Sequence, residues 1–229
     1  MRKYAVIGVG KYGSQIARKL AENGAEVYAF DLSEEKIERI KDEVAFAVAL
    51  DSTDKKALIS QDIEKIDAAV VAIGENFEAV VLTSVHLLEL KIERVIARAH
   101  GPMQKQILKK IGVQELLTPE DEVAELVTER LLNPSIISSL PLPDDCEIAE
   151  IKVPEGIANR TIEDLDMKKR YRLNLIALKR QIEVKEQGEK TIEQHLVDAE
   201  NIKTVIYETD SLVVFGTKRD IERFIEVND

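Results

Sequence analysis

The sequence predicts an α/β chain in which a doubly wound parallel sheet is followed by a smaller α+β domain. Three observations carry this reading. The segment Gly8-Val9-Gly10-Lys11-Tyr12-Gly13-Ser14 lies between the apolar run Tyr4 to Ile7 and a helical pattern from Gln15 to Ala21. As far as about Leu117, short β-rich apolar runs alternate with stretches of helical period, the pattern of a parallel sheet covered on both faces. The uncharged stretch Leu131 to Pro143, holding Pro134, Pro141 and Pro143, then breaks the periodicity and reads as a connector.

Taken in order, the strands are expected at Tyr4–Ile7, Val27–Phe30, Ala45–Val48, Ala68–Ile73, Arg94–Ala97 and Glu115–Leu117. The helices between them fall at Gln15–Asn23, Glu34–Asp42, Lys55–Ser60, Phe77–Leu90, Met103–Ile111 and Glu120–Leu132. Ala68 to Ile73 carries no charge, as a central strand requires. Ser33 precedes Glu34-Glu35 as a helix cap, and Thr118-Pro119-Glu120-Asp121 puts proline at the first turn with acids near the positive helix end. Beyond the connector, Glu147–Val153, Leu173–Leu178, Val205–Tyr207 and Ser211–Phe215 read as strands, with helices at Ile162–Leu165 and Asp220–Val227. The charged segment from Lys185 to Ile202 shows only a weak helical pattern around Ile192, Leu196 and Val197 and takes no assignment. The expected domains are therefore 1–134, with a crossover helix near 120–132, and 140–229.

Composition narrows the function. The chain has 229 residues and a net charge of -11, which argues against a nucleic-acid partner, since that needs clustered Lys and Arg. The single cysteine, Cys146, makes no internal disulfide and builds no Cys/His metal cluster with three histidines, so a reducing compartment is expected. No window approaches the ~18 apolar residues of a membrane helix, and the N-terminal run is too short for a signal segment. A soluble protein is expected, free to dock on something embedded.

The glycine turn has a physical logic: Gly8 for the tight strand-to-helix turn, Gly10 for close approach of a phosphate, and Gly13 for close packing of helix on strand. The helix N-terminus presents free N–H groups to the anion. Asp31 ends the second strand about 20 residues on, where a ribose-binding acid belongs. In a parallel sheet, ligands lie at the carboxyl ends of strands. That rule adds Asp51-Ser52-Thr53, Gly74-Glu75-Asn76, Arg98-Ala99-His100 and Thr118-Pro119-Glu120, with Lys11 and Arg98 as candidate phosphate ligands. For Asp51 and Asn76 the alternative is a simple helix cap, and for Arg98 a surface ion pair. His86, in an apolar helix, reads as packing or solvated. A dehydrogenase needs a proton donor such as His, Lys or a Tyr-x-x-x-Lys pair. No tyrosine here has a lysine four residues on, so a nucleotide sensor rather than an enzyme is expected, with an NAD(H)-binding oxidoreductase as the alternative.

At this point the chain resembles the RCK (regulator of potassium conductance) family, in particular the Ktr/Trk-type gating subunits of bacterial potassium uptake systems. The resemblance rests on Tyr4 to Gly10 with Tyr12-Gly13, Asp51-Ser52-Thr53-Asp54, Val71 to Asn76, Lys110-Ile111-Gly112 and Pro119-Glu120. In the second half it rests on Asp164-Leu165-Asp166, Tyr171, Asn174 to Ala177, Asp210 to Val214, Gly216 and Asp220 to Phe224. It implies a Rossmann-like RCK N-terminal domain and an RCK_C (TrkA_C) regulatory domain. It further implies dimers assembling to an octameric ring, cytoplasmic but peripheral at the membrane through a separate potassium-translocating subunit. In the Ktr branch the ligand is ATP or ADP, while Trk-type relatives also respond to NAD(H). A ribose diol is common to all three, so Asp31 disfavours only a 2′-phosphate.

By the same resemblance, Lys11 and Arg98 face phosphates, Asp31 the ribose, Asp51 and Ser52 the adenine end, and Glu120 the terminal phosphate, through Mg2+ or another cation. The implied nucleotide site covers Gly8 to Gly13 (with Val9 and Tyr12), Asp31, Ser33, Asp51 to Thr53, Ile73 to Asn76, Arg98 to His100 and Glu120. Lys11 and Arg98 exchange one base for the other relative to the Ktr pattern, which keeps charge but not bidentate geometry. Ile162, Asp166, Lys168, Asn174, Leu175 and Ile176 resemble the family's cyclic di-AMP motif. Glu163 there replaces an apolar residue and Lys168 an arginine, and the alternative is an ordinary helix–strand turn.

Overall fold

The computed structural model describes residues 2–186, 189–197, 201 and 203–229. It divides into two compact units, Met1–Glu122 and Val123–Asp229.

In the first unit the elements alternate as β1 Lys3–Ile7, α1 Lys11–Glu22, β2 Glu26–Asp31, α2 Glu34–Ile40, β3 Phe46–Ala49, α3 Lys55–Ser60, β4 Ala68–Val71, α4 Phe77–Glu89, β5 Arg94–Arg98, α5 Gly101–Ile111 and β6 Glu115–Leu117. The six strands form one sheet in the order β3-β2-β1-β4-β5-β6, every pair parallel. This is the Rossmann order, whose direction reverses between β1 and β4, so their carboxyl ends open a crevice. All four residues of β4 are buried. One face packs Ile7, Phe30, Val71 and Val95 against Leu58, Leu87 and Leu108. The other packs Val6, Val27 and Ala29 against Ala17, Ile37 and Ile40. The alternation of Val6 with Ile7 between these two cores is the period of two that a strand buried on both faces imposes.

The second unit begins in the helix α6, Pro119–Leu132, and continues with β7 Ile136–Pro141, β8 Cys146–Lys152, α7 Ile162–Leu165, α8 Met167–Tyr171, β9 Asn174–Glu186, β10 Glu189–Val197, β11 Ser211–Thr217 and α9 Lys218–Asn228. Its five strands run antiparallel in the order β10-β9-β11-β8-β7. Ala149, Ile151, Leu178, Leu212 and Val214 face Ile221 and Phe224 of α9, and the Tyr171 ring meets Phe224 edge-on at 4.8 Å.

Several expectations are corrected. Ile136–Pro141, inside the expected connector, is a strand: β7 is the sheet's edge, where a proline at the end leaves no ladder bond unmade. Val205–Tyr207 is no strand and contributes a single bridge, Val205 to Thr161. Helix α8 has no counterpart among the expected elements, because its five residues, with only Met167 and Tyr171 turned to the core between two left-handed residues, Asp166 (φ 37°) and Arg172 (φ 61°), are too few to show a period. The weak helical pattern around Leu196 and Val197 belongs to β10, which pairs with β9 in a long hairpin. Residues 187, 188, 198–200 and 202 of that charged segment lie outside the described residues.

Gly8 adopts φ +92°, and a Cβ there would lie 2.8 Å from the Ile73 nitrogen. A Cβ on Gly13 would lie 2.0 Å from the Gly8 carbonyl oxygen, whereas one on Gly10 meets nothing within 4 Å. Gly13→Ala is therefore expected to cost about 1–3 kcal/mol or more through forced separation of α1 from the turn. Gly10→Ala should stay within about 0.5 kcal/mol of the parent. Thermal unfolding of the two variants side by side measures the contrast.

Candidate nucleotide site

The carboxyl ends of β1 to β5 surround a cleft of about 760 Å³ in the first unit. Its floor is the glycine turn. Gly10 is the N-cap of α1, no side chain bonds to the helix start, and the first turn holds no acid. The helix start, with Gly10, Lys11 and Tyr12, thus lines the cleft with its positive dipole end and takes no side-chain cap among the described residues.

Asp31, at the end of β2, is buried and holds the turn in place. One carboxylate oxygen accepts the Val9 N–H at 2.9 Å, and the other accepts the Ser33 N–H at 2.9 Å. The Lys36 ammonium, one turn into α2, lies 3.3 Å from both oxygens. Ser33 occupies the N-cap of α2 but makes no side-chain cap bond. Val9 itself is buried behind the turn, and its amide is its contribution.

After β3, Asp51 accepts the Thr53 hydroxyl at 2.6 Å and the Thr53 N–H at 2.9 Å. These two bonds, the side-chain one first, pull the Asp51 carboxyl below its ordinary range. The cap of α3 is Asp54, which accepts the Lys56 N–H at 2.9 Å, so Asp51 is not the helix cap that its position allowed. Ser52 is buried, its hydroxyl 2.8 Å from that of Thr83 on α4. After β4, Asn76 does cap its helix, accepting the Ala79 N–H at 3.0 Å, while Ile73, Gly74 and Glu75 line the cleft.

Arg98 ends β5 with its side chain largely buried. Its guanidinium lies 5.4 Å from the centre of the Tyr12 ring, and one nitrogen bonds the Glu120 carboxylate at the start of α6. Its buried Nε has no hydrogen-bond partner among the described residues. His100 brings Nδ1 to 3.7 Å from Glu120. Burial acts to raise the Glu120 pKa but is outweighed by its own backbone amide and by Arg98, so the carboxyl sits below its ordinary range and remains charged. Tyr12 is pushed up, mainly by burial and by the charge of Glu122.

Of the residues singled out from the sequence, Gly8, Gly10, Lys11, Tyr12, Asp31, Asp51 to Thr53, Ile73 to Asn76, Arg98 and His100 line the cleft. Val9, Gly13, Ser33, Ala99 and Glu120 do not line it. Val9, Gly13 and Ala99 form its backing, Ser33 holds Asp31, and Glu120 pairs with Arg98. Leu32, Lys36, Leu50, Ala72 and Ala79 line it as well. Leu32 and Ala72 follow strand ends directly, so the rule that selects strand ends contains them. Lys36, five residues past Asp31 on a helix, is a face neighbour that only a built α2 reveals. The described residues hold no group of three or more His, Cys, Asp or Glu placed to bind a metal ion, and Glu120 alone would offer a cation one carboxylate.

Fold and cleft together define a Rossmann-type chain with an anion-ready crevice at the topological switch point, joined to an antiparallel α+β unit. The sequence matches the TrkA-N domain over residues 4–119, and the chain belongs to that family. It is 32% identical over 223 residues to Ktr system potassium uptake protein C of Bacillus subtilis (strain 168), covering 97% of this chain and 96% of the other. It is 29% identical to Ktr system potassium uptake protein A of the same organism, covering 97% and 95%. Among solved structures, the GsuK channel has the same fold with a TM-score of 0.65 at 16% identity, over 99% of this chain but 39% of that one. No helix among the described residues is long and apolar enough to cross a membrane.

Replacing Asp31 by alanine leaves the amides of Val9 and Ser33 without their acceptor. Asp31→Ala is expected to lower stability by about 1–3 kcal/mol, the cost of stranding buried donors. Asp31→Asn, which keeps one acceptor, should lose less. Urea unfolding of both variants checks the order.

Proposed function

We propose that the chain is a cytoplasmic regulatory subunit of a Ktr-type potassium uptake system, not an enzyme. In this reading, exchange of ATP for ADP in the cleft sets the state of a ring of subunits, and the ring gates a separate potassium-translocating membrane subunit. The observation that carries it is the match to Ktr system proteins along nearly the whole of both chains, with the cleft residues inside the matched length. The α1 amides, Lys11 and Arg98 take the phosphates, Asp31 the ribose, and Asp51 and Ser52 the adenine end. Glu120 would hold Mg2+ or another cation beside the terminal phosphate, where the ion would offset phosphate charge.

The Arg98–Glu120 pair supplies a route from ligand to protein. A phosphate that takes the guanidinium competes with Glu120, the second residue of α6, and the helix that starts there continues into the second unit. α6 leaves Val123, Val127 and Leu131 exposed, an apolar stripe suited to burial against another subunit on the way from dimers to an octamer. The antiparallel unit takes the part of the RCK_C domain, with cyclic di-AMP on the α7–β9 stretch. There Ile162 packs on the core, Asp166 and Lys168 stand at and after a left-handed corner, and Asn174, Leu175 and Ile176 open β9 with Ile176 exposed.

Native mass spectrometry with ATP, ADP, NADH and cyclic di-AMP reads subunit number and ligand together. Eight subunits carrying ATP or ADP are expected. Failure to bind any adenine nucleotide overturns the reading, and selective binding of NADH moves the chain to an NAD(H)-responsive role. Arg98→Ala should weaken ATP binding about 10- to 100-fold, the worth of a charge-assisted bond. Without divalent ions, Glu120→Gln should tighten ATP binding several-fold by freeing Arg98 from a partly exposed pair worth up to about 1 kcal/mol. Calorimetric titration of the two variants separates these opposite effects.

A further inference from the structure

Helix α4 meets the turn after β3 with three side chains three residues apart. The Thr83 hydroxyl lies 2.8 Å from that of Ser52, and both residues are buried. His86 places Nε2 at 3.0 Å from the Thr53 carbonyl oxygen. Glu89 receives the Lys55 ammonium at 2.8 Å. A carbonyl only accepts, so His86 must carry its proton on Nε2 and donate it, which fixes the tautomer in the neutral ring. Nδ1 is then buried with no hydrogen-bond partner among the described residues, and Glu89 stands 3.9 Å away.

A residue that only packed would need no polar atom here. Apolar contact on this helix is made by Val80 and Leu87, both buried in the core cluster. The same helix starts in the cleft, since Asn76 caps it, and both Asn76 and Ala79 line the site. Leu50, Asp51, Ser52 and Thr53 line the same cleft. One helix thus lines the cleft at its N-terminus and grips the turn after β3 along its flank. Asp51's two bonds to Thr53 complete the chain, because the carbonyl that His86 holds belongs to the residue that orients the Asp51 carboxylate.

We infer that His86 is a positioning residue for the nucleotide site: through the Thr53 carbonyl it fixes the turn that presents Asp51 and Ser52 to the ligand. The inference rests on the nucleotide reading given above for the ligand's identity, but the placement of the turn is measurable without any ligand. His86→Leu removes the donor and keeps the bulk. His86→Gln keeps an N–H donor where Nε2 stood.

In the ligand-free full chain, hydrogen exchange of the amides of residues 50–54 is expected to rise about fivefold or more in His86→Leu and to return close to the parent rate in His86→Gln. ATP affinity should fall about three- to tenfold in the leucine variant, the worth of one hydrogen bond, and recover in the glutamine variant. Equal exchange and equal affinity in His86→Leu overturn the inference, as does a glutamine variant that folds with the parent's melting temperature yet restores neither. If the parent chain binds no nucleotide while exchange follows the expected pattern, the functional reading fails and the positioning role stands. If the parent binds ATP while exchange and affinity ignore His86, the reverse holds.

Discussion

The close approach of α1 to the end of β1 is the constraint on which the site depends. Where other residues carry a Cβ, Gly13 has only hydrogen, and the space goes to the Gly8 carbonyl. That approach puts the start of a twelve-residue helix at the switch point between β1 and β4, with no side-chain cap among the described residues. Asp31 then locks the arrangement from the side, joining the Val9 amide in the turn to the Ser33 amide before α2. Backbone geometry shapes the turn here, and a buried carboxylate holds it.

In a chain of net charge -11 the cleft is lined by three cations, Lys11, Lys36 and Arg98, beside three carboxylates, Asp31, Asp51 and Glu75, so its charges balance where the rest of the surface is anionic. Two of those cations are already engaged: Lys36 lies against Asp31, and Arg98 against Glu120. Such pairs keep the site from carrying unbalanced charge and set a cost for each anion that enters. Arg98 is the more constrained of the two, since its side chain is largely buried, its face lies near Tyr12 and its Nε has no hydrogen-bond partner among the described residues.

The first unit was largely legible because its signals are local. The apolar run Ala68 to Ile73 holds the central strand β4, which ends at Val71, and the order of turns and caps follows from residues next to one another in sequence. What escaped was set by tertiary geometry. Lys36 reaches Asp31 only once α2 folds back over the strand end, and His86 finds the Thr53 carbonyl across 33 residues of chain. In the second unit, β7 hid among prolines because an edge strand needs ladder bonds on one side only. The long hairpin hid because its strand β10, exposed at Glu193 to Leu196, alternates too weakly to show a period of two.

On the proposed reading, the engaged state of Arg98 bears on how a nucleotide could act as a signal at all. A ligand shifts an equilibrium only by the difference between its affinities for the two states. ATP and ADP share the ribose, the adenine and most of the phosphate chain, so contacts at Asp31, Asp51 and Ser52 hold both alike and contribute nothing to that difference. Discrimination has to arise at the far end of the phosphates, where Arg98 and Glu120 stand. A terminal phosphate that draws the guanidinium from Glu120 would change the first turn of α6. A shorter ligand leaves the pair as it is. The common contacts therefore set occupancy and one ion pair sets the response, which is the separation that a sensor of nucleotide ratio requires.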